Sequence, residues 1–419
     1  MRDHARKPWQ LRAIAAGALA LAALFCRAAP AEPAPAAVSP KDTLAYVGTQ
    51  TKGQSKGIYV FRLQTQGMEV SQNITLVPLG LAAETPNPAF LEVDPTRRLV
   101  FAANDIHQFE GKPSGAVSAF AVEAATGKLT LLNQRPSMGD APCHLTLDGA
   151  RRNLLVTNCI GGSVAVLPVG PDGKLGAATD VAQHPGKDPH THGVVLSPDD
   201  KFAFACDMNA DRIMAYHYDG AKGKLTPAST AMVALKAGTG PRHMVFRPDG
   251  KFAYVVGSKV SRVIAYAYDG VDGALSEIQS VSTLPESWEG TNSAAEIAVH
   301  PSGKWLYVSN RGHNSVVLFN IDPKAGTLTF VEEQGTGGKT PRHFGLEPSA
   351  KHMAIANQDS DTVLASRIDA GNGRLKPSGV FASVAAPMCV KFLPPAQGSK
   401  ENGKQGKGKA GKVAKEAAE

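Results

Sequence analysis

Two copies of a Pro-Arg-His tripeptide place arginines where they could bind an anion. PRHMVFRP occupies residues 241–248 and PRHFGLEP occupies residues 341–348. A third related segment puts His192 at the position held by Arg242 and Arg342. A guanidinium binds a carboxylate or phosphate through two parallel hydrogen bonds, and an imidazole exchanges a proton near neutral pH. If these positions meet in space, they predict a small-anion site with a proton-transfer group beside it.

The elements that must position these residues come from an internal repeat. Units start at residues 88, 142, 191, 241, 294 and 341. Each unit reads as a strand, a Pro/Gly turn, two further strands, a Gly turn and a fourth strand. Four strands in about 40–50 residues are typical of a propeller blade. A linear β-solenoid is the alternative architecture for such a repeat.

A seventh unit is divided between the two ends of the chain. The segment LAYVGTQ at 44–50 begins at the second strand of the pattern, and PMCVKFLP at 387–394 is a first strand with nothing after it. Together they complete one blade, which closes the ring and leaves no open sheet edge. The sequence therefore predicts an all-β fold, a single seven-bladed β-propeller over residues 42–394, closed by pairing of the N- and C-terminal strands. The split unit argues against a solenoid.

The repeat also predicts which side chains share a level of the channel. With each unit numbered from zero, we expect position 1 to lie opposite position 17, and position 2 opposite position 16. Position 1 holds His192, Arg242 and Arg342, and position 17 holds Arg311. The first strands of a propeller line its channel, so these four residues should converge from four consecutive blades. The alternative is that they are solvated side chains at strand ends.

Other polar residues of the first two strands are weaker candidates. Glu296 stands in an apolar strand and needs a partner, so either an ion pair with Arg311 or a role in the site would explain it. We expect His243 and His343, at position 2, to be packed. Asp207 is a possible member of the site. The asparagines that share its position 16 indicate hydrogen bonds to turns and backbone; they are Asn104, Asn158, Asn310 and Asn357.

The cysteines and histidines do not form a recognisable metal motif. The two histidines of the segment 189–192 are too few for a metal site, and no metal or other cofactor is expected. Cys143 and Cys159 should be neighbours on adjacent strands. Export would permit a disulfide between them, but the expected cross-strand geometry is strained for one. The pairing is therefore left open.

Both ends of the chain are basic, while its folded part is neutral. Residues 1–31 combine a basic start, an apolar run from Ala13 to Phe25 and an Ala-Pro-Ala site, which predicts a signal peptide. The alternative is a membrane anchor, but this run is too short to span a bilayer. Residues 32–41 read as an Ala/Pro linker, and 395–419 as a disordered Gly/Lys-rich tail. We expect an exported bacterial protein, periplasmic or extracellular. We expect it to be monomeric, with no nucleic-acid partner and no membrane span.

Five segments together resemble the propeller-type lactonase family, which includes a bacterial 6-phosphogluconolactonase and the fungal carboxymuconate lactonizing enzyme. The resemblance covers roughly residues 42–394 and implies a lactone hydrolase. The segments are VGTQ (47–50), GIYVF (57–61), GTGPRHMVFRP (238–248), LYVSNRGH (306–313) and GGKTPRHF (337–344).

The resemblance also implies roles for individual residues. It makes His192, Arg242 and Arg311 the catalytic set and draws attention to Ser258. With Arg342, Glu296 and Asp207, which the repeat positions suggest, Ser258 completes the substrate-binding candidates. The family has a glutamate 16 residues after the first arginine, where this chain has Ser258. The first interpretation is a lactonase acting on a small anionic substrate, a lactone, sugar acid or sugar phosphate. The alternative is a non-catalytic exported propeller that binds a small anion or a protein partner.

Overall fold

The computed structural model describes residues 37–51, 53–66 and 73–396, and within them the chain forms strands and one short 3-10 turn, Gln358–Ser360. The predicted signal peptide, half of the linker and nearly all of the tail lie outside these residues. No helix in the described part is long and apolar enough to cross a membrane. The strands are β1 (Leu44–Thr49), β2 (Gly57–Gln66), β3 (Asn73–Glu84), β4 (Pro88–Asp94), β5 (Leu99–Asn104), β6 (Ala116–Val122), β7 (Leu129–Pro136), β8 (Pro142–Leu147), β9 (Asn153–Asn158), β10 (Ser163–Pro168), β11 (Asp180–Gln183), β12 (Thr191–Leu196), β13 (Phe202–Asp207), β14 (Arg212–Asp219), β15 (Lys224–Ala234), β16 (Pro241–Phe246), β17 (Phe252–Gly257), β18 (Arg262–Tyr268), β19 (Leu275–Ser282), β20 (Ser293–Val299), β21 (Trp305–Arg311), β22 (Ser315–Ile321), β23 (Leu328–Gly335), β24 (Pro341–Leu346), β25 (His352–Asn357), β26 (Thr362–Ile368), β27 (Leu375–Ser383) and β28 (Pro387–Leu393).

The strands form seven antiparallel four-stranded sheets, which confirms the predicted propeller. Blades 1 to 6 are β4–β7, β8–β11, β12–β15, β16–β19, β20–β23 and β24–β27. Blade 7 has the order β28-β1-β2-β3, so the C-terminal strand is its innermost strand and pairs with the N-terminal one. The ring is therefore closed by the two ends of the chain, as the divided repeat predicts.

Burial along each blade follows from its place in the ring. The second strands, such as LVFAAN in β5 and FAYVVG in β17, are buried along their whole length. They are covered on both faces by neighbouring blades, which is why they read as continuous apolar runs rather than alternating ones. The outer strand β15 is instead largely exposed, with Leu225 and Ala228 as its buried residues. The apolar core thus lies between blades, and the first strands are left to line the channel.

Buried tyrosines join adjacent blades to one another. The hydroxyl of Tyr254 donates to the carbonyl of Gly326 at 3.0 Å, and that of Tyr307 donates to the carbonyl of Gly373 at 2.7 Å. Each bond runs from a second strand to the glycine turn before the fourth strand of the next blade. A buried tyrosine needs such a partner for its hydroxyl. These bonds help fix how successive blades stand relative to one another.

The predicted register of the inner hairpins is wrong because every first strand contains a β-bulge. Position 0 pairs with position 16, as Pro241 does with Gly257, but position 2 pairs with position 15, as His243 does with Val256. The pairing shifts in the same place in all seven blades. A bulge leaves one residue unpaired and re-aims its side chain. The residues at this position are Ala89, Cys143, His192, Arg242, Ala295, Arg342 and Met388.

Candidate active site

The bulges of blades 3 and 4 bring His192 and Arg242 into contact. Nη1 of Arg242 lies 2.5 Å from Nε2 of His192, and each residue is only 4% exposed. Because a guanidinium can only donate, Nε2 is the acceptor and the imidazole proton is on Nδ1. The hydroxyl of Thr157 donates to the His192 carbonyl at 2.7 Å and so holds the backbone of the bulge. The two predicted residues therefore form one buried hydrogen-bonded pair.

Arg311 and Arg342 add positive charge at the same end of the channel. Burial, together with repulsion by these two arginines, holds the pKa of Arg242 well below its usual value. Burial and Arg342 lower the pKa of Arg311 to about 10. Burial also lowers the pKa of Arg342, against the opposing attraction of Asp105 and Asp359. An anion bound among the three guanidinium groups would relieve this repulsion, so the electrostatics favour an anionic ligand.

His192 is held neutral by the same surroundings. Burial, and then repulsion by Arg242, His243 and Arg342, hold its pKa well below the usual value for histidine. A positive charge on this imidazole would be buried beside a guanidinium, and that is why protonation is disfavoured. His192 therefore presents a neutral ring at neutral pH, able to accept a proton only if the resulting charge is compensated.

Ser258 contacts Arg311 rather than Arg242. Ser258 is at position 17 of its repeat, so the predicted pairing of positions 1 and 17 would place it opposite Arg242. This expectation is wrong, because the bulge shifts the pairing of the two strands. The Ser258 hydroxyl donates to the Ala294 carbonyl at 2.7 Å and accepts from Nη2 of Arg311 at 3.3 Å. The same Nη2 donates to the hydroxyl of Ser293 at 2.7 Å. Arg311 is thus oriented by two neutral hydroxyl groups, which do not neutralise its charge.

One level deeper in the channel, Glu296 lies between two histidines. Its Oε2 is 3.2 Å from Nδ1 of His243 and 3.4 Å from Nε2 of His343. The amide of Val390 donates to Nδ1 of His343 at 3.3 Å, so the proton of that ring is on Nε2, facing the carboxylate. Among the ion pairs of the described residues, none joins Glu296 to Arg311, so that expected pair is not formed. The sequence indicated that this acid needs a partner but not which one.

Aromatic rings and an ion pair fill the channel around this level. The rings of Phe90 and His144 lie 4.2 Å apart between centroids, and those of Phe90 and His343 lie 5.4 Å apart. Nζ of Lys391 is 4.8 Å from the Phe90 centroid and 3.3 Å from Oε2 of Glu92. Sequence reasoning missed this layer. The available signal was that Phe90, His144, Glu92 and Lys391 occupy positions 2 and 4 of their repeats, which face the same channel.

Asp207 stands apart from this cluster. It is fully buried, its Oδ2 is 2.8 Å from Nη2 of Arg212, and its Oδ1 accepts from the amide of His190. Although burial raises its pKa, hydrogen bonds from His184, His190 and Arg212 bring the pKa of Asp207 well below its usual value. These contacts resemble those of the asparagines at the same repeat position. The side-chain amide of each donates to a carbonyl in the segment before its own blade, as expected for Asn104, Asn158, Asn310 and Asn357.

The disulfide left open by the sequence is formed. Cys143 and Cys159 are bonded, with their Cα atoms 6.0 Å apart. Their sulfurs and one ring nitrogen of His192 lie within 4.8 Å of one another, so the bridge is next to the candidate site. Because both sulfurs are in the disulfide, this group offers no thiolate to a metal ion. The bridge instead ties together the two strands that pack beside His192.

Fold and site together define a seven-bladed propeller with a buried, strongly basic cluster at one end of its channel. A model of the family described as "Lactonase, 7-bladed beta-propeller" matches residues 44–392. The chain belongs to this lactonase family.

Relatives of known name cover nearly the same region. The chain is 34% identical to the 6-phosphogluconolactonase of Bacillus subtilis over 84% of its own length and 98% of that protein. It is 30% identical to the 6-phosphogluconolactonase of Pectobacterium carotovorum, over 81% and 96% of the two chains. Among solved structures, it is similar to the periplasmic gluconolactonase of Pseudomonas aeruginosa, with a TM-score of 0.77, 32% identity, and 84% and 99% of the two chains covered.

Proposed function

We propose that the protein is an exported hydrolase that opens an anionic or sugar-derived lactone at the basic end of the channel. Membership of the lactonase family and the names of its relatives support this activity. The observation that carries the assignment to this site is the buried pair of His192 and Arg242 within a cluster of three arginines. It combines a proton acceptor with fixed positive charge in one desolvated place, which is what ester hydrolysis requires.

In this proposal the arginines bind the substrate and stabilise the transition state. Arg311, oriented by Ser258 and Ser293, holds an anionic or polar group of the ligand, and Arg342 is an auxiliary contact. Arg242 donates to the carbonyl oxygen of the lactone. That oxygen gains negative charge when the carbonyl is attacked, and a donor placed there in advance lowers the barrier most. Burial strengthens each of these interactions because water does not screen them.

His192 supplies the proton transfer, and Arg242 controls when it can do so. In the free protein Nε2 is already occupied by the guanidinium of Arg242. A ligand that draws this guanidinium toward its own oxygen frees Nε2 to accept a proton from water. The hydroxide so formed attacks the carbonyl carbon, and the proton later goes to the departing ring oxygen. Binding and activation are thus coupled through one hydrogen bond.

The compartment narrows the class of substrate. Residues 1–31 carry the features of a signal peptide, and the similar Pseudomonas protein is named as periplasmic. Sugar phosphates are intracellular metabolites, so an unphosphorylated or carboxylated lactone fits an exported enzyme better. Because relatives are named 6-phosphogluconolactonase, the phosphorylated lactone must be tested beside the unphosphorylated ones. A protein that binds a small anion without turnover is the second candidate, favoured by Ser258 where the family has glutamate.

A panel of lactones tests the proposal directly. The mature protein is assayed against gluconolactone, 6-phosphogluconolactone and a muconolactone, beside His192→Ala and Arg242→Ala. Each substitution should reduce turnover by about 100-fold or more. Arg262→Ala is the matched control. Arg262 is on the third strand of blade 4 and donates a hydrogen bond to Ser280 on the fourth strand, away from the inner strands that carry the candidate site. Turnover no faster than spontaneous hydrolysis, with phosphate or sugar acids still stabilising the protein, would support the binding protein instead.

A further inference from the structure

Three side chains in the channel carry buried polar atoms without a hydrogen-bond partner among the described residues. These atoms are Nδ1 of His192, both ring nitrogens of His243 and Oε2 of Glu296. The rings of His192 and His243 are 5.0 Å apart between centroids. His243 turns Nδ1 toward Glu296, at 3.2 Å, which leaves its Nε2 as the nitrogen available to His192. The three side chains therefore lie side by side in the order His192, His243 and Glu296, from the candidate base to a carboxylate.

These three side chains offer a solution to the low basicity of His192 in the proposed reaction. Burial and the charge of Arg242 hold the pKa of His192 well below its usual value. A base whose protonated form is so unfavourable is inefficient at neutral pH, because the proton it accepts would create a second positive charge beside a guanidinium. His192 needs a route that passes the positive charge on at once.

We propose that Glu296, through His243, is the positioning residue that receives the proton taken up by His192, and this inference rests on the proposed hydrolysis. Water gives a proton to Nε2 of His192 while Nδ1–H of that ring goes to Nε2 of His243. Nδ1–H of His243 then passes to Oε2 of Glu296. The hydroxide adds to the carbonyl carbon, the carbon–oxygen bond of the ring breaks, and the proton returns along the same line to the ring oxygen. Both imidazoles change tautomer and neither carries a charge.

The groups around the line suit this transfer. His343 holds Glu296 in place from the other side, with Nε2 3.4 Å from the carboxylate. Burial and surrounding positive charge hold the pKa of His243 well below its usual value, so its ring stays neutral and keeps one nitrogen for accepting and one for donating. The charged and titratable groups that act on His243, His343 or Glu296 are Arg242, Arg311, Arg342, Lys391, His144 and His192.

Glu296→Gln keeps the shape of the side chain and removes its ability to take the proton. We expect kcat to fall by about 100-fold with KM changed less than about threefold. The negative charge of Glu296 raises the pKa of His343 and of Arg242. Its removal makes protonation of the cluster harder still, so the acid limb of kcat/KM should move to lower pH.

Glu347→Gln is the matched control. Glu347 is also buried and also lies against a histidine, with Oε1 3.4 Å from Nδ1 of His352, but at the turn after β24. It should change stability without moving kcat or the pH profile. His243→Gln interrupts the line while leaving Glu296 intact, and it serves as the deciding variant if Glu296→Gln does not fold. In the double variant the second substitution should have almost no further effect, because one break already stops the transfer.

The outcomes separate the relay from the proposed function. The relay is overturned if the wild-type protein is active and either Glu296→Gln or His243→Gln retains that activity. It is also overturned if the losses multiply in the double variant. Both results leave the proposed lactonase activity intact. No turnover by the wild-type protein, with intact binding of phosphate, would overturn both proposals. Loss in both single variants, no added loss in the double variant and an unchanged Glu347→Gln profile would establish the relay.

Discussion

Opening the disulfide between Cys143 and Cys159 is expected to destabilise the protein by about 3 kcal/mol. The bridge joins residues 16 apart in sequence, and closing a loop of that length removes about 10 cal/mol/K of entropy from the unfolded chain. At 25 °C this corresponds to about 3 kcal/mol. For a folded unit of roughly 350 residues the entropy of unfolding is about 0.7 kcal/mol/K, so Tm should fall by about 4 °C.

The assay compares oxidised protein, protein reduced with a phosphine, and Cys143→Ala/Cys159→Ala in urea and thermal unfolding. Cys206→Ala is the control, because it removes a buried sulfur that is not part of a bridge. The reduced protein and the double variant should both unfold at lower urea than the oxidised protein. If oxidised and reduced protein unfold at the same urea concentration, the bridge does not restrict the unfolded chain and the loop-entropy reasoning is refuted.

Two further predictions concern charge. Arg342→Gln should weaken the affinity for inorganic phosphate by about tenfold, since one charged donor is lost. Titration calorimetry measures this affinity, with Arg262→Gln as the control. An unchanged affinity would contradict an anion site of three arginines. Although burial raises its pKa, hydrogen bonds from His352 and Ser349 lower the pKa of Glu347 to about 2. Its folded pKa is below its unfolded pKa, so it stabilises the protein above about pH 4.5, and up to about 3 kcal/mol is lost as the pH falls toward 2. Urea midpoints across this range should fall more steeply for wild type than for Glu347→Gln, and parallel curves would contradict the assignment.

The fold could be predicted from the sequence because the repeat depends on local features of the chain. Turn residues recur at fixed places in each unit, and the second strands read as apolar runs. The divided unit at the two ends then specified how the ring closes, and β28 pairs with β1 accordingly. Such features depend on short stretches of chain and on burial, which are the properties that a single sequence reveals best.

The contacts within the site were harder to predict, because they depend on one unpaired residue in each first strand. Counting pairs without a bulge placed Ser258 opposite Arg242, whereas the real partner of Ser258 is Arg311. The bulge also turns position 2 toward the channel, where His243 meets Glu296. A shift of one residue in register exchanges the faces of a strand, so the repeat identifies residues at equivalent levels but not the contacts they make.

Position 258 holds a serine where the family has glutamate, while Glu296 lies at another level of the channel. Together these two residues determine where negative charge is placed relative to the arginines. A carboxylate beside Arg311 would neutralise part of the cluster, whereas the hydroxyls of Ser258 and Ser293 leave its charge available to a ligand. Burial, together with the charges of Arg242 and Arg342 in the same cluster, suppresses the basicity of His192. Glu296 lies deep enough to avoid competing with the ligand for Arg311 and close enough to His243 to take up a proton. Binding of an anion and removal of a proton, which make opposite demands on charge, are therefore assigned to two levels of one channel.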